Sequence, residues 1–193
     1  MGTVNTKTPR KRGELKKALV SAGVELLNEG GLSALTLRKC AARAGVSHAA
    51  PAHYFDGLKG LLTAIVAEGF RKFTQTMIEQ RDGAHNDPHA RLAAVCAGYL
   101  TFARNNEAMS TLMFMVDEID TDDAEFRALS SASYQVLANA CAPFNSGAAG
   151  QKGTEVLIWS LVQGYASLAR FGMVDAEVVP FDDILLQLDL RLK

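Results

Sequence analysis

A chain of 193 residues, 48% of them hydrophobic, can bury a substantial core, as one mid-sized domain or a small domain joined to a larger one; it is too apolar for a disordered chain. Its net charge of −1 hides a segregation of sign: residues 1–72 hold twelve Lys/Arg against five acids, a net +7, and the remainder eight against sixteen, a net −8. A basic third on an acidic remainder points to a polyanionic partner for the first part only. No apolar run reaches the roughly 18–20 residues of a membrane span, so no membrane partner is expected. Thr3 to Gly13 is polar and basic, unlike a signal peptide. Cys40, Cys96 and Cys141 are odd in number and far apart. That spacing excludes a disulfide framework or a CxxC metal site, and predicts reduced thiols in the cytoplasm.

Residues 1–12 form a basic arm containing Arg10, Lys11 and Arg12, expected to be disordered. The spacing of Leu15, Ala18, Leu19, Ala22 and Leu26 predicts a first helix from near Gly13 to Asn28, ended by Gly30-Gly31. Two short helices are expected on either side of Gly45, then a long one over about 58–80. Further helices are predicted at about 89–104, 106–117, 122–141, 152–171 and 181–191. Strand alternation with hairpin turns is missing, so the reading is all-α with about nine helices. A small three-helix domain is expected over 13–60, and a larger helical bundle over 61–193.

Thr36 to Phe55 reads TLRKCAARAGVSHAAPAHYF. Two helices that cross steeply need small residues at the crossing, supplied by Ala41 and Ala44. The turn between them needs a positive φ, supplied by Gly45, with Val46 as the apolar plug beneath. Thr36 and Ser47 are each placed to cap a helix N-terminus. Pro51 then falls in the first turn of a recognition helix limited to about His48 to Phe55. A helix entering the major groove N-terminus first presents His48, Ala49 and Ala50 to base edges. His53 and Tyr54, a turn later, are placed for sugar-phosphate, with a core role for Tyr54 equally open. Thr36 is placed to bind a phosphate, and Lys59, Arg10, Lys11 and Arg12 add attraction independent of sequence.

The arm, the first helix ending at Gly30-Gly31, LTLRKCAARAGVS, and HYF before Leu61-Leu62 together resemble the DNA-binding region of the tetracycline-repressor-like (TetR) family. Two positions depart from that family: Ala52 stands where a phosphate-holding tyrosine is usual, and Leu58 where a lysine is usual. Ile158 to Gly172, IWSLVQGYASLARFG, resembles the subgroup with a Trp-His-Gly pattern, with Gln163 in place of the histidine. The resemblance implies a ligand-responsive regulator that binds a palindromic double-stranded DNA operator as a homodimer and releases it on binding a small-molecule effector. It further implies a bundle formed between subunits by the last two helices. Ser160, Gly164 and Ser167 offer a small-residue strip for that contact, and Ile184, Leu185 and Leu188 an apolar seam. An effector pocket is likewise implied, and the aromatic and Met-rich cluster of Phe102, Met109, Leu112, Met113, Phe114 and Met115, with polar tips from Tyr99, Trp159, Gln163 and Tyr165, has a suitable composition.

An enzyme is not expected: the chain holds no phosphate loop, GxSxG or HExxH. No cofactor or metal is expected, and His85 and His89, around Pro88, read as surface histidines. The acids of Asp117 to Glu125 read as a solvated helix connection. The alternative function is an interaction adaptor that keeps the fold without binding DNA.

Overall fold

The computed structural model describes residues 12–114, 116–145 and 147–193. Its helices are α1 (Arg12–Gly30), α2 (Leu37–Ala44), α3 (Gly57–Gly83), α4 (Pro88–Asn105), α5 (Glu107–Met113), α6 (Ala124–Cys141), α7 (Gly150–Arg170) and α8 (Phe181–Leu185). A lone bridge between Phe144 and Leu192 is the only β-pairing among the described residues. None of the described helices is long and apolar enough to cross a membrane. The expected all-α architecture is therefore found.

The protein is organised on α3, which at about 1.5 Å per residue is roughly 40 Å long. Its first half buries Leu61, Leu62, Ile65 and Val66 with Leu19 and Leu27 of α1 and Cys40 of α2. Its second half buries Phe73 and Met77 with Val95, Tyr99 and Phe102 of α4 and Val136 of α6. One helix thus belongs to both the basic head and the acidic body, and runs unbroken through the expected boundary at residue 60. Gly98 lets α4 approach α3 closely, because a Cβ there would lie 2.7 Å from Met77 Cα and 3.0 Å from Thr76 O.

The acidic connection is not simply solvated. Thr63 Oγ1 on α3 accepts a hydrogen bond of 2.8 Å from the Asp120 amide. Glu125 at the start of α6 takes Lys16 of α1 at 3.4 Å and Arg71 of α3 at 3.1 Å. The connection therefore ties the body to the head. The expected last helix is also shorter than its apolar spacing suggested. α8 stops at Leu185, and the tail pairs with the α6–α7 connection through Asn145 N to Arg191 O at 2.6 Å and Lys193 N to Pro143 O at 3.0 Å. His89 holds the same tail, its Nε2 lying 2.8 Å from Leu190 O and its ring edge-on to Phe144.

In an ordinary helix interior, Gly→Ala gains about 1 kcal/mol. Gly98→Ala is expected to do the reverse and cost about 1–3 kcal/mol, because the new methyl meets backbone that cannot swing aside. Urea unfolding of both proteins measures this; a variant more stable than wild type would show that α3 and α4 do not meet there.

Candidate nucleic-acid interface and effector cavity

The head is built around the packing of α2 on α1. Thr36, in extended conformation, caps α2 by accepting from the Lys39 amide at 3.1 Å. Gly45 ends α2 at φ 67°, ψ 38°, and Val46 N returns to Ala41 O at 3.0 Å. This is a glycine-closed helix end of the kind the turn requires. Arg43 forks onto Glu29 at 2.8 and 2.7 Å and reaches Glu25 at 3.3 Å. That hydrogen-bonded pairing holds the Glu29 carboxyl below the usual carboxylate range. Arg43 is thereby committed to α1 and is not offered to a ligand.

The recognition segment is presented, but not as the α-helix expected over His48 to Phe55. It is a turn followed by a short 3-10 stretch, Ala50–His53. Pro51 explains the difference. In an α-helix its N–H would bond the Ser47 carbonyl, and proline has none. The chain closes instead through Ala50 N to Ser47 O at 3.0 Å, then Tyr54 N and Phe55 N both to Pro51 O at 3.0 Å. Ser47 does not cap this stretch; the capping position is Ala49, which makes no side-chain bond.

Ser47, His48, Ala49, Ala52 and His53 are exposed, as are Thr36 and Lys59. Ala50 and Pro51 are buried, so Ala50 is turned from the surface where it was expected to meet bases. Tyr54 is half-buried against the core and lines a small cleft with Asp56, Asp120 and Asp123, a setting that repels phosphate. Arg10 and Lys11 lie outside the described residues, and Arg12 is the first residue of α1. Sequence reasoning missed Arg38 and Lys39, both exposed in the first turn of α2 beside Thr36 and without an ion pair among the described residues. A signal for them existed: cations at a helix N-terminus oppose the macrodipole, so their placement there needs another reason.

The body holds a cavity of about 850 Å³ between α4, α5, α7 and the segment leading to α8. Phe114, Gln163 and Tyr165 line it as expected, and Met115 lies outside the described residues. The other expected pocket residues do not, because helix phase turns them elsewhere. Tyr99 and Phe102 face α3 and stack on Phe73 at 4.9 and 5.1 Å between ring centres. Met109 and Met113 are buried and lie against Gly69 of α3, filling core. Trp159 lies on the surface, tilted against Tyr134 at 5.5 Å. The true α4 wall is Ala97, Leu100, Thr101 and Arg104, one helical face away from Tyr99. Tyr99 still reaches the site indirectly, donating from the core side to Gln163 Oε1, and burial raises its phenol pKa.

α7 carries three faces. Ile158, Val162 and Tyr165 enter the core, while Gln163, Ala166, Ser167 and Arg170 face the cavity. Leu157, Ser160, Gly164, Leu168 and Phe171, at spacings of three and four, form an outward stripe, with Leu161 half-buried against the core at its edge. A Cβ at Gly164 would meet nothing within 4 Å. Ser160 and Gly164 thus lie on the expected contact face, but Ser167 lines the cavity and donates to Gln163 O at 2.9 Å. Leu185 is buried in its own core, and Ile184 and Leu188 are packed half-buried against it, so α8 supplies less free apolar seam than expected. The leucines of the stripe and Phe171 were missed, although their spacing was readable.

The three cysteines are buried thiols. Burial pushes Cys141 up to about 12, and also raises Cys40 and Cys96. Among the described residues no group of three or more His, Cys, Asp or Glu is arranged to hold a metal.

Comparison with known proteins matches both halves of the chain. The profile described as "Tetracyclin repressor-like, C-terminal domain" fits residues 92–188, and "Bacterial regulatory proteins, tetR family" fits residues 19–65. The HTH-type transcriptional regulator BetI of Burkholderia cenocepacia is 35% identical over 85 residues, covering 44% of each protein. The chain thus spans less than half the length of the curated relatives it matches. Among solved structures, a protein with unknown function from Rhodococcus sp. RHA1 gives a TM-score of 0.76 at 26% identity over 94% of each chain. The transcriptional regulator FadR from Bacillus subtilis, in complex with stearoyl-CoA, gives 0.66 at 15% identity over 88% of this chain and 95% of its own, a likeness of fold alone. With the C-terminal profile alone spanning half of the chain and the N-terminal one falling on the head built around Gly45, the protein belongs to the tetracycline-repressor-like family.

Proposed function

We propose that this protein is a ligand-responsive, DNA-binding transcriptional regulator that acts as a homodimer in the cytoplasm, with the head over about 13–60 and the effector and dimer functions in 61–193. The observation that carries the reading is the exposed Ser47–His48–Ala49 turn in a head that also exposes Arg38, Lys39 and Lys59, three cations without an ion pair among the described residues. Such a surface combines a protruding element of groove size with positive charge for phosphate. His48 and Ala49 are the base readers; Thr36, Arg38, Lys39, His53 and Lys59 are the phosphate contacts, joined by Arg10, Lys11 and Arg12 of the arm. Nothing in this arrangement calls for catalysis.

A reader this short specifies few base pairs, and a second copy one helical turn away, about 34 Å, supplies a palindromic partner. The outward stripe of α7 is the natural contact for that copy. Its exposed Leu157, Leu168 and Phe171 flank the open surface at Gly164, where two helices can approach closely. The cavity is the effector site, and FadR of the same fold in complex with stearoyl-CoA supports such a body as a container for an organic ligand. Filling the cavity displaces α4 and α7, tilts α3 and changes the distance between the two heads, which releases DNA and relieves repression.

The DNA reading is tested by selecting binders from a random duplex pool and then measuring shifts at several salt concentrations. Arg38→Gln and Lys39→Gln are each expected to weaken all sequences alike and to lower the salt slope by about 1. His48→Ala is expected to change which sequences are selected. Failure to enrich any duplex would favour the adaptor reading, to which Ala52 and Leu58 lend weight.

The dimer reading makes a separate prediction. The double variant Leu157→Glu/Leu168→Glu is expected to sediment as a monomer while keeping wild-type helical content, and to lose operator affinity. A variant that remains dimeric would move the interface off α7.

A further inference from the structure

We propose that the body cavity takes an organic anion with an apolar body, its acidic group held by Arg104 and Arg170. This rests on the reading of the cavity as the effector site and specifies its ligand class.

Arg104 and Arg170 sit in the last turns of α4 and α7, on opposite walls of the cavity. Neither has a carboxylate within ion-pairing distance among the described residues. This contrasts with Arg43, Arg71, Arg81, Arg91, Arg127 and Arg191, all of which are paired. Arg170 is oriented: its Nη1 donates to Thr111 Oγ1 at 2.6 Å and its guanidinium lies 4.9 Å over the Phe171 ring. One hydrogen bond to a neutral hydroxyl leaves most of the guanidinium's donors available. Favourable charge at a helix C-terminus accounts for a cation on each helix. It does not account for two such cations lining one cavity with no ion pair to any described residue.

The acids of the cavity, Glu107, Asp175 and Asp182, line it without pairing with either arginine among the described residues. Asp175 accepts from the Glu177 amide at 2.9 Å, which fixes it in its own turn. Asp175 and Asp182 stand near the Tyr165 hydroxyl, whose pKa is raised first by burial and then by these two carboxylates. Tyr165 itself donates to Val179 O at 2.8 Å, on the segment that leads to α8. Glu107 also lines the cavity, and its backbone carbonyl accepts from Thr111 Oγ1, the hydroxyl that Arg170 meets, but its carboxylate forms no ion pair among the described residues. Leu100, Ala166, Ala169 and Phe181 are among the cavity's apolar lining. An organic anion is held there by the two guanidinium groups and by apolar contact along its body. A carboxylate or phosphate fits the forked geometry of a guanidinium.

Titration calorimetry with octanoate, 1-octanol and octylammonium reads the charge preference directly. Octanoate is expected to bind wild type, and Arg104→Gln/Arg170→Gln to weaken it about tenfold or more, the size of one lost charge-assisted contact. Octanol is expected to bind both proteins alike. Arg104→Gln alone removes no internal contact, so it keeps its fold and serves as the second variant; a several-fold loss is expected. Octanoate binding indifferent to both variants, octylammonium binding tighter than octanoate, or no binding by any of the three overturns the proposal. The duplex selection on the same preparation separates the two readings. DNA binding without octanoate recognition leaves the regulator standing and removes the anion, whereas arginine-dependent octanoate binding without DNA recognition does the opposite.

Discussion

α3 is a single rigid object with one end in each core, and the positions of head and body follow from it. Leu61, Leu62, Ile65 and Val66 are all but completely removed from solvent in the head, while Phe73 and Met77 are buried in the body. At about 1.5–3 kcal/mol for each fully buried large side chain, neither end can let go without losing much of the protein's stability. Motion of one end is therefore delivered to the other as rotation or translation of the whole helix. Gly98 strengthens this constraint. It brings α4, whose next face lines the cavity, into backbone contact with the body half of α3.

Alongside this rigid link runs a weaker one. Glu125 joins Lys16 and Arg71 through side chains that are each about half exposed. Ion pairs so exposed contribute roughly 0–1 kcal/mol each and fade with salt. The Asp120 amide on Thr63 adds a hydrogen bond of the ordinary kind, worth about 1 kcal/mol net. A proposed switch that moves an equilibrium across most of its range needs about 5 kcal/mol of differential ligand binding. The acidic latch is thus of a size to bias the head without locking it, which is what an effector-operated lever requires of its restraints.

The sequence made the head legible because its constraints are local. Thr36 caps within three residues, Gly45 turns within one, and the charge segregation is visible by counting. Pro51 shows where local reading stopped short. Its compatibility with a first helical turn was recognised, but the missing amide at the one place where Ser47 needed a donor decided for a 3-10 stretch. The cavity was harder to read for a different reason. Aromatic and methionine side chains mark apolar surroundings, and a core and a pocket are equally apolar. Tyr99 and Thr101 are two residues apart on α4, about 200° around the axis, so one packs on Phe73 and the other faces open space. Only the packing partner settles which face is which, and that partner is remote in sequence.

The same logic explains why the polar residues missed in the sequence carry more information than the apolar ones proposed. A buried Met109 or Phe102 satisfies the fold whatever the protein does. Arg38 and Lys39, at the positive end of the α2 dipole, do not serve the helix that bears them. Arg104 and Arg170 suit their helix ends but line a cavity while forming no ion pair among the described residues. Neither pair is explained by an ion partner among the described residues, and both are for that reason proposed as anion sites, a phosphate backbone on the head and a smaller anion in the body. α3, buried in the head and in the body, is the mechanical link between these two proposed sites.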